Sequence, residues 1–542
     1  MLGWVLLALP LQIPAQEPAT LPDPLPATAA PDLAARAQRA YRAGFALQRE
    51  RRTVEAIEAY RRALELDPFH PRAHYELGWS YWVLGRWEDV VRHWEIAAGL
   101  KLDEPVLPEY LQRAREQLEG KVEPLVRVPI GTRVEGRGPG GRGRLALELI
   151  ARFQHYDPDP AHPADVFDRY VFSPKSVHLT GDGARAYVNA LEGFSTLVYD
   201  AQRLVRRKVI LHRFGDGEAG LFAGTEAGAA WAAFPAGGEL EHPNRFSGKP
   251  VEFAETHGGR YLWISYYRRD TDRLGALPSA VAVVDTRREE IVRVIDTGPI
   301  PKYLAASPDG RWLAVVHWGD NTVGLIDIAA ESPAGFRRAG LIVVEHRLRL
   351  DHGEDVDRER YCGYCLRGAV FSADSRHLLV GRMGGGGIAV LDVAARRYVG
   401  TVHGMKPTPR QLVLSPDGET LYVGSNVAGY VSRYRTTGVI GAARNGRTHL
   451  PPLRETRTGV GTRTIVLSPA AGLLFAAVNN GSKVVALDAG SLEPLLEIPA
   501  DSFPVGLAVS PDGTRLWVTS QGRKRRGGNS IAIYSVSLKP ER

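Results

Sequence analysis

Three copies of Ser-Pro-Asp-Gly, at 307–310, 415–418 and 510–513, constrain this 542-residue chain most, because each is set in the same longer pattern. An apolar run precedes the tetrad, a second follows it, and a third ends in aspartate or near it; around the first copy these are 303–306, 312–316 and 322–327. The order reads as strand, tight turn, strand, loop, strand, since the glycine accepts the positive φ that primed and bulged hairpin turns demand. Degraded copies at 180–183, 257–259, 372–375 and 468–471 keep the frame, with third runs ending at Asp200, Asp285, Asp392 and Asp488. Together they make seven units.

A unit of three or four strands cannot bury both of its faces alone, so its recurrence roughly every 40 to 55 residues predicts the blades of a propeller. The runs around Ser307, Ser415 and Ser510 resemble the YVTN-type repeat, in which the tetrad, a Leu-Tyr-Val-like strand and a Val-x-Val-x-Asp-like strand follow in order. The resemblance covers residues 144–542 and implies a seven-bladed β-propeller. Surface, periplasmic and cofactor-linked proteins carry this repeat, and lactonase-like propellers share the seven-bladed fold, so the likeness implies architecture and not activity.

The last unit stops soon after its third run, 531–536, and lacks the outermost strand that earlier units complete with runs such as 291–295. The strand-like run 144–153 stands before the first unit. It is expected to pair with the C-terminal strands and clasp the ring, which removes an exposed sheet edge.

From 32 to 120 the apolar period becomes helical, and two segments align at an offset of 34 residues: Gly44 with Gly78, Ala56 with Val90, Tyr60 with Trp94, Ala63 with Ala97. The segment resembles the tetratricopeptide (TPR) family, where small residues let paired helices approach and aromatics fill the gap. Pro68 ends the first unit, and a further amphipathic helix over 108–118 caps the last. The resemblance implies a protein-binding surface, against the plainer role of a brace or oligomer contact. The glycine-rich stretch 121–143 reads as a linker without regular structure. The fold class is therefore multidomain, α plus all-β: TPR helical hairpins, then a propeller whose N-terminal strand closes the last blade.

Residues 1–15 are apolar but too short to span a bilayer, and fit a secretory signal peptide; their lack of Lys or Arg points to a start further upstream or an unusual signal. The Pro/Ala-rich segment 16–31 follows as a spacer. The chain is thus expected to be exported, periplasmic or extracellular, with no integral membrane span. The formal charge of +7 is basic, but Arg far outnumbers Lys, which reads as a composition bias, and no basic stripe interleaves with aromatics, so nucleic acid is not the expected partner. The basic run 523–526 reads as a solvated loop.

In this frame the second-to-third-strand loops and the connections leading into each blade share one face. The insertions near 212–248 and 349–361 also fall there, and long loops gathered on one face mark a binding side. His317, Asp320, Lys302, Arg268, Arg269, Arg382 and Arg410 collect on that face as candidates for an anionic small ligand, because Arg offers paired planar donors to carboxylate or phosphate. The plainer reading pairs each of these charges with a neighbouring loop group.

Cys362 and Cys365, the only cysteines, read most simply as a local disulfide in an exported chain. No His follows Cys365, which excludes covalent haem attachment of the Cys-x-x-Cys-His type. Zinc bound at this pair with His317 or His352 is the alternative. The acidic run 351–357 lacks EF-hand offsets and reads as a solvated loop. No nucleophile elbow, phosphate loop or zinc-protease motif occurs, and no cofactor is expected. The residues point first to an exported, non-catalytic scaffold whose TPR module docks a protein partner and whose propeller face takes a ligand or partner. The alternatives are a lactonase-like hydrolase using His317 or Asp320 as base, or a metal- or redox-linked periplasmic propeller.

Overall fold

The computed structural model describes residues 30–50, 52–104, 107–119, 126–222, 246–270, 272–350, 356–522 and 529–539. The signal-peptide reading, nearly all of the spacer, the run 523–526 and His352 with most of its acidic loop lie outside these residues. The chain divides into two compact units, Met1–Lys121 and Val122–Arg542.

The described residues of the first unit form five helices: α1 (Ala30–Arg49), α2 (Thr53–Leu66), α3 (Pro71–Leu84), α4 (Trp87–Gly99) and α5 (Leu107–Glu119). Pro71 opens α3 where its missing N–H costs nothing, and Gly85 ends it at φ 68°. The offset of 34 marks a repeated contact. A Cβ on Gly44 would stand 2.7 Å from the Tyr60 ring, and one on Gly78 2.2 Å from the Trp94 indole. Helices α1 and α2, and then α3 and α4, therefore approach closely around one buried aromatic each. Tyr75, Trp79, Trp82 and Tyr110 extend the second contact into an aromatic cluster, with Trp79 and Trp94 ring centres 4.9 Å apart and edge-on.

The second unit is a seven-bladed propeller. Blades 1 to 6 are antiparallel sheets over 174–211, 246–297, 301–343, 366–402, 409–457 and 462–499, each with four main strands. Blade 7 combines the C-terminal strands Pro504–Val509, Arg515–Ser520 and Ser530–Lys539 with the N-terminal strand Arg144–Gln154. The clasp runs antiparallel from Arg144 opposite Lys539 to Gln154 opposite Ser530. The first strands of successive blades touch in a closed cycle around the axis. Seven apolar clusters fill the seven interfaces between neighbouring blades. Second strands such as Leu473–Val478 are buried along their whole length because sheets cover both of their faces.

Three features differ from the sequence reading. Residues Arg133–Arg137, assigned to an unstructured linker, form a strand paired with the clasp. Gly136 is there for closeness, since a Cβ would meet the Leu495 carbonyl of blade 6 at 2.2 Å. Helix α6 (Thr436–Arg444) is inserted before the last strand of blade 5, and α1 begins two residues inside the segment read as spacer.

The tetrads are turns with a common bond pattern. Ser307 Oγ donates to Asp309 Oδ1 (2.5 Å) and accepts from Trp312 N–H (2.8 Å), while Gly310 sits at φ 71°. Asp309 Oδ1 also accepts from Arg311 N–H (3.0 Å). Ser510 with Asp512, and the degraded Thr180 with Asp182, repeat the arrangement.

Candidate functional site: the axial channel

Every blade carries a register shift in its innermost strand, at the start of that strand in six blades and within Phe246–Thr256 in blade 2. A bulge of this kind leaves a residue unpaired and re-aims its side chain. The residues placed there are Lys175 in blade 1, Lys302 in blade 3, Arg367 in blade 4, Arg410 in blade 5 and Arg463 in blade 6; blades 2 and 7 have Val251 and Val505.

Lys175, Arg367 and Arg410 line one cavity of about 210 Å³, with Glu252, Tyr303 and Gln411 among the other lining residues. Arg367 donates to Glu252 Oε1 (2.6 Å) and to the Lys302 carbonyl. Lys302 reaches Glu359 Oε1 (3.2 Å) and lies 4.0 Å from the Trp318 ring centre and 4.9 Å from that of Tyr267. Gln411 Nε2 donates to the Tyr303 hydroxyl (2.8 Å). Arg410 is 8 % exposed, and its one hydrogen-bond partner among the described residues is the Met383 sulfur, 3.4 Å from a terminal nitrogen. Its Nε is buried without a partner, as are those of Arg367 and Arg463.

The cations depress one another. Burial, followed by Arg463 and Arg367, holds the Arg410 guanidinium well below its usual range. Burial followed by the four neighbouring cations does the same to Lys175. Burial lowers Lys302 to about 7 against the opposing pull of Glu359, with Arg367 and Arg410 adding to the fall. Burial and then Arg367 lower Arg463 to about 10.

Other residues read from sequence as an anion-binding mouth have closer engagements. Arg268 donates to Asp357 Oδ1 (2.6 Å) and to the Arg273 carbonyl (2.5 Å). Arg269 stacks on Phe246, its Cζ 4.4 Å from the ring centre. Arg382 donates to Glu345 Oε1 and Thr401 Oγ1, both at 2.5 Å, over the Tyr364 ring. Lys302 and Arg410 alone of that set belong to the bulge ring. Lys175, Arg367 and Arg463 were missed, although the Pro-basic pair of 174–175 recurs at 301–302 and 409–410.

His317 and Asp320 are fully buried. Gly298 N–H donates to His317 Nε2 (3.1 Å), which therefore carries no proton, and Thr297 Oγ1 meets the same nitrogen at 2.6 Å. Nδ1–H then donates to Thr322 Oγ1 (2.8 Å), whose hydroxyl donates in turn to Asp320 Oδ1 (2.6 Å). Arg347 Nε closes the chain at Asp320 Oδ2 (3.2 Å). Burial pushes His317 down to about 3 and Asp320 up to about 6. The lone pair needed by a general base is thus occupied by two donors.

Cys362 and Cys365 are joined by a disulfide, with Cα atoms 4.8 Å apart. It packs with Ile300, Trp318, Tyr267 and Met383, of which Trp318 and Tyr267 contact Lys302 and Met383 contacts Arg410. Among the described residues no group of His, Cys, Asp and Glu is arranged to hold a metal ion, and no helix is long and apolar enough to cross a membrane.

Solved structures similar to this chain include hydrazine synthase of Kuenenia stuttgartiensis, at 15% identity and TM-score 0.46 over 71% of this chain and 100% of that one. Another is the Cps50 (Swd1) β-propeller domain of Myceliophteria thermophila, at 13% identity and TM-score 0.47 over 68% of this chain and 97% of that one. No curated protein matches in sequence. A TPR-repeat family profile matches residues 53–85, which span α2 and α3.

Proposed function

We propose that this chain is an exported, non-catalytic scaffold in which the TPR unit docks a protein partner and the propeller takes an anionic small ligand on its axis. The observation that carries this reading is the repeated Gly–aromatic helix contact of Gly44 with Tyr60 and Gly78 with Trp94, beside the family match over 53–85. TPR units and propellers both serve recognition by presenting a rigid surface of stacked repeats. The Cys362–Cys365 disulfide supports an oxidising compartment. The YVTN-type repeat remains the subtype that the tetrads favour.

The test is affinity capture from an envelope extract with residues 30–542 and with residues 122–542. A defined partner retained by the first and lost by the second supports the docking role. Identical captures by both would remove it. Alkylation of thiols in the protein drawn directly from cells, before and after reduction, tests export: two thiols blocked before reduction are expected.

A further inference from the structure

We propose that the bulge cations Lys175, Lys302, Arg367, Arg410 and Arg463 form a site for a compact oxyanion carrying two or more negative charges, either a di- or tricarboxylate or a phosphate ester. This rests on the reading that the propeller takes an anion. It moves the site inward, from the loop arginines to the axis.

Three observations carry it. First, the placement is built: the same strand irregularity recurs in all seven blades, and five of them put Lys or Arg on it. Second, the charges do not balance. Against the five basic side chains, the carboxylates bonded to ring members among the described residues are Glu252, on Arg367, and Glu359, on Lys302. Like charges gathered out of water destabilise a fold unless something compensates them. Third, Arg410 is buried with a thioether as its one hydrogen-bond partner, and it lines the cavity. A guanidinium so placed has its paired donors unspent, in the geometry that meets carboxylate or phosphate oxygens.

The cavity also limits the ligand. About 210 Å³ admits a small molecule and not a folded partner. Lys175, Arg367, Arg410, Tyr303 and Gln411 bring donors to its wall, and the Glu252 carboxylate on it is already bonded to Arg367.

The experiment is thermal denaturation of the full chain titrated with citrate, succinate, inorganic phosphate, pyrophosphate and chloride at matched ionic strength. Ligand that binds only the folded state raises the melting temperature with concentration. The wild type is expected to respond to multivalent anions and not to chloride, and the stronger of the carboxylate and phosphate arms identifies the source. Arg410→Met is expected to weaken the response at least tenfold in anion concentration, while melting no lower than wild type without anion, because it removes an uncompensated charge. Arg463→Met serves where Arg410→Met does not fold, with the same expectation. If both variants respond as wild type does, anion binding stands but the channel site is overturned. If the wild type responds to no anion, the channel site and the anion-binding reading fall together.

Discussion

Arg152, on the N-terminal strand, donates to Asp501 at 3.1 Å across 349 residues of sequence, in the blade that closes the ring. Both side chains are 1 % exposed, and Asp165 holds the other side of the guanidinium. Asp501 also accepts from Val128 N–H (2.9 Å), Ser530 Oγ (2.7 Å) and Tyr156 OH (3.2 Å). The first and last segments of the propeller therefore meet at one carboxylate as well as along a strand pair.

Removing one member of a buried ionic cluster leaves the others uncompensated, at a cost of about 3–5 kcal/mol. Asp501→Ala is expected to lower propeller stability by that order, measured as the urea midpoint by tryptophan fluorescence. Arg127→Ala, a half-exposed partner of Asp165, is expected to cost under about 1 kcal/mol. Equal effects would show that the buried cluster has no special part in closure.

In the tetrads, the serine hydroxyl satisfies a backbone N–H that the turn would otherwise leave without a partner. Ser307→Ala, Ser415→Ala and Ser510→Ala are each expected to cost about 1 kcal/mol. The turns lie in separate blades, so the triple variant is expected to show the sum to within about 0.5 kcal/mol per pair. Urea midpoints of the four variants against the wild type check both the size and the additivity.

The tetrads and the offset of 34 are local signals, and so blades, clasp and helical hairpins were legible from the chain alone. The binding ring was only partly so. Lys302 and Arg410 stood out as charges leading into blades, but Arg268 and Arg382, on second-to-third-strand loops of the same face, were equal candidates, and their partners Asp357 and Glu345 are brought alongside only by folding. A bulge is a property of two strands' register, so Arg367 and Arg463 gave no sign within their own runs. The strand at Arg133–Arg137 was hidden for the opposite reason: its glycine looked like freedom and is in fact a close approach.

The same distinction gives a test in the helical unit. Gly78→Ala places a methyl group 2.2 Å from the Trp94 indole nitrogen, whereas Gly99→Ala meets nothing within 4 Å. Overpacking of this kind costs about 1–3 kcal/mol. Gly99→Ala is expected to be neutral or to stabilise α4 by up to about 1 kcal/mol. Thermal melts followed by circular dichroism at the helical band compare the two; equal melting temperatures would contradict the tight α3–α4 contact.

His74 and His93 set the acid limit of that unit. His74 Nε2 meets the Pro68 carbonyl at 3.0 Å, so it carries the proton, and His74 Nδ1 accepts from His93 Nδ1–H at 2.8 Å. The His74 ring cannot take a second proton without breaking this arrangement, since both of its nitrogens are engaged. Burial, followed by His74 and nearby arginines, pushes His93 down to about 3, and burial lowers His74 as well. The folded state therefore binds fewer protons than the unfolded one, whose histidines titrate near 6.5. Stability is full above that value and is lost as the pH falls through it, the loss continuing down to the folded value near 3. At pH 4.5, about two pH units below the unfolded value, the stability lost through His93 is about 3 kcal/mol. His93→Asn places an amide N–H at the Nδ1 position for His74 without a titrating ring. Between pH 7.5 and 4.5, helical melts are expected to fall further for the wild type than for His93→Asn, and equal falls would show that the pair does not govern the acid response.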